Sequence, residues 1–225
     1  MTSARSSAPP RITGPGQFAE TFDVSRETLD RLELYARLLG QWQKAVNLVS
    51  AKTLPQVWGR HFADSAQLYR MAPDAKRWVD LGRGAGFPGM VVAILMAERG
   101  EGYVTLVESD VRKGAFMREV ARQAGIVVDV ASERIESFST KGRISETAID
   151  VISARALAPL DRLLELSSAL FSRNTLGLFL KGRELRSELD EAQRRWAFDS
   201  TVVPSLTDAS GQILQVRALR ARTED

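Results

Sequence analysis

The stretch Trp78-Val-Asp-Leu-Gly-Arg-Gly-Ala-Gly-Phe-Pro-Gly89 leaves this chain few ways to fold. Trp78 and Val79 begin an apolar run that stops at the acidic Asp80. Three alternating glycines follow (Gly82, Gly84, Gly86), and residues 90–97 are apolar again. That order predicts strand, tight loop, helix. Glycine takes positive φ readily and lets another molecule come close to the backbone. A loop of this kind also aims a helix N-terminus, with its unpaired N–H groups, at an anionic ligand. A plain flexible turn has the same local composition, and the loop alone does not separate the two.

Residues 1–17, rich in Ser, Pro and Gly, read as a disordered tail. From Ser25, a candidate N-cap, the spacing turns helical, with Leu29, Leu32, Tyr35, Ala36 and Leu39 at three- and four-residue intervals. Gly40 predicts a break. Residues 41–49 continue with Trp42, Ala45, Val46 and Val49 on one face, and 53–69 read as one or two helices with Thr53 as N-cap and Pro55 in the first turn. A helical extension over 18–72 therefore precedes the glycine loop. Beyond the loop, strands over 103–108, 126–130, 149–153 and 177–181 alternate with helices over 111–124, 157–171 and 184–196, and 132–147 read as a polar loop. Two last β-leaning runs, near 197–203 and 212–219, are joined by Pro204, Asp208 and Gly211 and predict an antiparallel hairpin. The expected fold is α/β and Rossmann-like: a seven-strand sheet with one reversed strand, helices on both faces, and ligands beyond the carboxyl ends of the strands.

Several chemistries lack raw material. There is no cysteine, which excludes disulfides, thiol catalysis and cysteine-ligated metals. A single histidine, His61, and the lack of a Gly-x-Ser-x-Gly elbow argue against a His-rich metal site and a hydrolase triad, and no metal is expected. No run approaches the ~20 apolar residues of a membrane span, and the N-terminus lacks the apolar core of a secretory signal, so a cytoplasmic protein is expected. The net charge of +3 and pI near 9.4, with arginine far outnumbering lysine, favour nucleic acid only weakly.

The spacing of the glycines then matters. The dinucleotide fingerprint G-x-G-x-x-G would need its third glycine at Phe87, whereas this chain has Gly82-x-Gly84-x-Gly86. Glu108 stands at the end of the second strand, at about the 20-residue spacing where a carboxylate accepts from both hydroxyls of a ribose. Loop and acid together point to a ribose-bearing cofactor. This combination resembles the S-adenosylmethionine-dependent methyltransferases. More narrowly, Asp80-Leu-Gly-Arg-Gly-Ala-Gly-Phe-Pro-Gly89, Leu106-Val-Glu-Ser-Asp-Val-Arg-Lys-Gly-Ala-Phe116, Arg134-Ile-Glu136 and Ile152-Ser-Ala-Arg-Ala-Leu-Ala-Pro159 resemble one family. It is the RNA guanine-N7 methyltransferase of the bacterial small ribosomal subunit, also called glucose-inhibited division protein B. Asn47-Leu-Val-Ser50, Arg60-His-Phe-Ala-Asp-Ser65 and Leu178-Phe-Leu-Lys-Gly182 extend the resemblance over most of 32–219.

The resemblance implies a methyltransferase domain over 73–225, packed as one unit with the extension and using S-adenosyl-L-methionine. The implied target is N7 of guanine 527 (conventional numbering) in 16S ribosomal RNA, met by a monomer in the small subunit or its assembly intermediate. Implied cofactor contacts are Gly82 and Phe87 in the loop, Ile135 and Glu136 at the adenine end, and Arg155, which would also position the reacting centre. Gly84, Gly86 and Glu108 join them from the loop reading itself. His61, Asp64 and Ser65 are either an acid–base cluster or buried hydrogen-bonding groups that hold the extension on the sheet. Lys181, Arg183 and Arg186 either line an RNA groove or face solvent, while Arg112, Lys113, Arg118 and Arg122 read as a solvated helix face. Arg83 stands where the family usually has a small or hydroxyl residue; it either turns away or crowds the methionine end of the cofactor.

The implied chemistry asks little of side chains. Guanine N7 carries an in-plane lone pair and a sulfonium methyl is already activated, so alignment, which gains on the order of 7–11 kcal/mol, can suffice. The base must be unpaired or flipped to be reached. Two other readings stay open: a nicotinamide-dependent oxidoreductase, disfavoured by the glycine spacing, and a non-catalytic ribosome- or RNA-binding relative.

Overall fold

In chain order the strands are β1 (Arg77–Leu81), β2 (Tyr103–Val107), β3 (Val128–Ala131), β4 (Val151–Arg155), β5 (Leu176–Lys181), β6 (Trp196–Pro204) and β7 (Gln212–Ala221). They form one sheet in the order β3-β2-β1-β4-β5-β7-β6. The first five run parallel, and β7 alone is reversed, pairing antiparallel with both β5 and β6. This computed structural model describes residues 11–82, 84–140 and 149–222. Arg83 and residues 141–148 of the expected polar loop lie outside them, as does most of the expected tail.

The helices are α1 (Pro15–Phe22), α2 (Arg26–Trp42), α3 (Asp64–Met71), α4 (Gly89–Arg99), α5 (Val111–Ala124), α6 (Ile135–Thr140), α7 (Leu160–Ser167) and α8 (Leu185–Arg195). β1 is buried from Trp78 to Leu81, as a strand covered on both faces must be, and its alternate side chains enter different cores. Trp78 joins Leu32, Tyr35, Phe62, Met90 and Phe116 on the face that carries the extension, α4 and α5. Val79 and Leu81 join Leu163, Leu164 and Trp196 on the face that carries α7 and α8. The extension thus completes one of the two cores rather than standing apart.

Local chemistry sets the best-defined ends. Asp110 caps α5 by accepting from Arg112 N (2.9 Å), and Gly125 ends it at φ 63°. Ser25 caps α2 by accepting from Thr28 N (3.2 Å), and Glu98 of α4 accepts from Ser25 N (2.7 Å) and the Thr28 hydroxyl (3.0 Å).

Some sequence expectations fail on tertiary grounds. The expected tail overlaps α1, and Ile12 is already buried. α2 runs through Gly40, where flanking Leu38 and Leu39 are buried and outweigh the ~1 kcal/mol glycine penalty. Residues 43–49 are not helical: Gln43 accepts from Leu48 N (3.1 Å) and Val49 N (3.0 Å) and donates to Val49 O (2.8 Å), holding an irregular segment. Thr53 does not cap a helix. A 3-10 turn (Leu54–Gln56) leads instead into a π-helical turn (Trp58–Ala63), in which Asp64 N donates to the carbonyl five residues back, at Gly59. α6 lies inside the stretch read as a loop. No helix among the described residues is long and apolar enough to cross a membrane.

Candidate functional site

The carboxyl ends of β1 and β2 meet at a narrow groove. Gly82, Gly84, Gly86 and Glu108 line it together with Asp80 and Met117. Glu108 is buried, accepting from Gly84 N (2.7 Å) and Asp110 N (2.8 Å). Asp80 is also buried and fixes the start of α4: Oδ2 accepts from Gly89 N (3.0 Å), Oδ1 from the Ser153 hydroxyl (2.5 Å), which in turn accepts from Trp78 Nε1 (2.8 Å). Burial pushes the Asp80 carboxyl up to about 6, against the pull of these hydrogen bonds.

The loop is packed tightly from outside. Gly84 sits at φ 129°, and a Cβ there would lie 2.7 Å from Leu48 O, so the extension rests on bare backbone. The Tyr35 hydroxyl donates to Ala85 O. Phe87 stacks on Tyr35 (centroids 5.2 Å, 24°) and on His61 (4.8 Å, 15°).

On the other side of this loop, at the ends of β4 and β5, lies a cavity of about 630 Å³ whose walls include Ala85, Phe87, Arg155 and Lys181. Phe87 therefore faces this cavity and not the groove of the glycines. Arg155 is buried. Its guanidinium donates to Arg60 O (2.9 Å), His61 Nδ1 (2.7 Å) and Asp64 Oδ2 (3.4 Å) and lies over Phe87. With Nδ1 accepting, His61 is the Nε2–H tautomer, donating to Thr53 Oγ1 (3.0 Å), whose hydroxyl donates in turn to Ser50 O (2.9 Å). Burial and the nearby Arg155 and Arg60 charges drive the imidazole down to about 3. His61 is neutral at neutral pH with both nitrogens engaged. Burial raises the Asp64 carboxyl above its ordinary value, with Arg155 opposing, and burial lowers that of Arg155.

Asp64 also reaches the connection between β6 and β7. Its Oδ1 accepts from the Thr207 hydroxyl (2.9 Å) and from Gln67 Nε2 (3.0 Å), and Gln67 Oε1 accepts from Leu206 N (2.9 Å). Ser65 donates to His61 O (2.6 Å). Of the two roles open to His61, Asp64 and Ser65, the geometry is that of the buried hydrogen-bonded joint. Lys181 is nearly covered and paired with Glu188 (2.5 Å), whereas Arg183 and Arg186 are exposed. Glu136 pairs with Arg162 (2.8 Å), and Ile135 packs against the α7 side. Arg118 donates to Val130 O and Ser132 Oγ, and Arg122 pairs with Glu119.

A buried acid after β2, a glycine loop after β1 and a seven-strand sheet with one reversed strand define the class: this is the fold of the S-adenosylmethionine-dependent methyltransferases. Solved structures of that fold align over nearly the whole chain. One is an O-methyltransferase of Streptomyces achromogenes in complex with S-adenosylmethionine (TM-score 0.58, 12% identity, 90% of this chain and 95% of that one). Another is a methyltransferase from Geobacter sulfurreducens (TM-score 0.53, 16% identity, 93% and 99%). The chain belongs to the rRNA small subunit methyltransferase G family, whose sequence model matches residues 28–217. A ribosomal RNA small subunit methyltransferase G from Parvibaculum lavamentivorans is 50% identical over 220 residues, covering 97% of this chain and 96% of the relative. One of the same name from Methylobacterium nodulans is 49% identical over 87% and 91%.

Proposed function

We propose that this protein transfers the methyl group of S-adenosyl-L-methionine to N7 of guanine 527 (conventional numbering) of 16S ribosomal RNA. It acts as a monomer, in the cytoplasm, on the small subunit or its assembly intermediate. Family membership supports the RNA target. The observation that carries the reading is the adjacency of two spaces around one loop. The groove of Glu108 and the glycines, closed to a water as it stands, lies on one side, and a cavity of about 630 Å³, large enough for a flipped base, lies on the other.

The groove fits the cofactor chemically: a buried carboxylate beside bare glycine backbone suits a ribose diol. When bound, the cofactor supplies an activated methyl on a sulfonium. What the chain itself contributes is binding and alignment. Glu108 holds the diol by exchanging its bond to Gly84 N, and Gly82 leaves the backbone approachable, whereas the bare faces of Gly84 and Gly86 are filled by Leu48 O and Met117 and shape the loop. Ile135 and Glu136 take the adenine end. Phe87 forms the partition between cofactor and base, and Arg155, fixed by His61 and Asp64, positions that partition from the cavity side. No proton acceptor is required, because N7 already presents a lone pair. The locked, neutral His61 is consistent with that.

The test is transfer of labelled methyl to small subunits lacking the modification, followed by mapping of the nucleotide. Label at guanine N7 is the expected result; its absence would sink the reading.

A further inference from the structure

The polar groups around the large cavity largely satisfy one another. Arg60 pairs with Asp208, and His61, Asp64 and Arg155 form the closed network described above. Glu188 of α8 is different. Its Oε2 accepts from Lys181 Nζ (2.5 Å) and from Leu160 N (2.8 Å), while Oε1 has no partner among the described residues, and the side chain lines the cavity. Lys181 Nζ carries three N–H donors and commits two, to Glu188 and to Ala158 O (3.0 Å). Among the described residues, one uncommitted donor and one uncommitted acceptor thus stand on the wall formed by β5 and α8.

We propose that the Lys181–Glu188 pair reads the Watson–Crick edge of the target guanine. The remaining Lys181 N–H donates to O6, and Glu188 Oε1 accepts from N1–H. This deepens the methyltransferase reading and rests on it. Guanine presents acceptor then donor along that edge, the complement of the pair. Adenine presents the reverse: its N6 amino group would face the ammonium and its N1 lone pair the carboxylate. A site built to hydrogen-bond one base rejects the other because its own polar groups are left unpaired.

The placement also suits the reaction. β4 lies between β1 and β5, so the glycine-loop end and the Lys181 end are two strand spacings apart, roughly 9–10 Å. A purine held by its six-membered ring at Lys181 and Glu188 points its five-membered ring, which carries N7, back toward Phe87 and the cofactor groove. The Glu188 contact at N1–H lies on the side of O6 away from N7, so a Lys181 N–H given to O6 from that side leaves the N7 lone pair free.

The test compares the full-length protein and its Glu188→Gln variant on an RNA fragment of the target loop. The target position carries guanine, inosine or 2-aminopurine. Inosine keeps O6 and N1–H, whereas 2-aminopurine lacks both. Wild type is expected to methylate guanine and inosine comparably and 2-aminopurine at least about 10-fold more slowly in kcat/KM. In Glu188→Gln the kcat/KM for guanine falls about 10–100-fold and the preference over 2-aminopurine collapses, with the calorimetric Kd for S-adenosylmethionine unchanged. Glu188→Gln acting on guanine at the wild-type rate would overturn the proposal. So would wild type methylating 2-aminopurine as fast as guanine, a measurement that stands even if loss of the Leu160 N contact unfolds the variant. A guanine-N7 product without edge selectivity removes this contact alone, whereas no guanine-N7 product from wild type overturns the proposed function and the contact with it.

Discussion

His61 and Asp80 are both buried and shift in opposite senses, so each has its own signature in pH. The imidazole falls from 6.5 to about 3. The unfolded chain therefore binds the proton first, and the stability His61 contributes is full above pH ~6.5 and drains away as pH falls toward 3. The Asp80 carboxyl rises from 3.8 to about 6, so its contribution is full below pH ~3.8 and is lost as pH rises through 6. Between about pH 4 and 6 the two slopes oppose. His61→Gln should therefore be most destabilised relative to wild type above pH 6.5, the deficit shrinking on acidification by at most about 1.4 kcal/mol per pH unit. Asp80→Asn should gain on wild type as pH rises through 6. Urea midpoints at pH 4.5, 5.5 and 7 measure both; a His61→Gln deficit independent of pH would refute the neutral, doubly bonded imidazole.

At the scale of the element, the glycine loop contains two kinds of glycine. A Cβ at Gly84 would meet Leu48 O at 2.7 Å in a strained φ, so Gly84→Ala should cost roughly 2–4 kcal/mol and loosen the extension. A Cβ at Gly82 meets nothing closer than Val107 O at 3.7 Å. Gly82→Ala should leave the melting temperature within a few degrees of wild type yet weaken S-adenosylmethionine binding at least about 10-fold, because only the ligand needs that space. Calorimetry beside thermal melts separates the two. The sequence alone distinguishes neither glycine, since the difference lies in Leu48, a residue of the extension. Legibility follows the same line elsewhere. α5 is readable end to end because Asp110 and Gly125 punctuate it locally, and Glu108 because its spacing follows from strand and helix lengths. The segment at 43–49 is not readable, being held by the Gln43 side chain, nor is the short α6 inside a polar run. Tyr35, Gln67 and Glu188 read only as helix residues; their site partners, Ala85, Leu206 and Lys181, are set by tertiary packing.

For the whole molecule, the consequence of a shared core is shared unfolding. Leu32, Tyr35 and Phe62 of the extension and Trp78, Met90 and Phe116 of the sheet layer form one cluster. The full chain should melt in a single transition with matching calorimetric and van't Hoff enthalpies. A fragment of residues 73–225 should show no cooperative transition, since one face of the sheet loses its cover; a fragment melting sharply on its own would mean the extension is an accessory. The joint between the two parts runs through the π-helical turn at Trp58–Ala63, which amounts to one residue inserted into an ordinary helix. Each helical residue turns the chain by about 100°. A relative one residue shorter here could form a perfectly regular helix and bury the same apolar residues before it. It would nevertheless swing Asp64 and Gln67 roughly a quarter-turn away from Arg155 and Thr207. Chain length in this turn is thus a phase setting, and a single-residue deletion that relieves the irregular backbone would disconnect the cavity from the sheet that forms its floor.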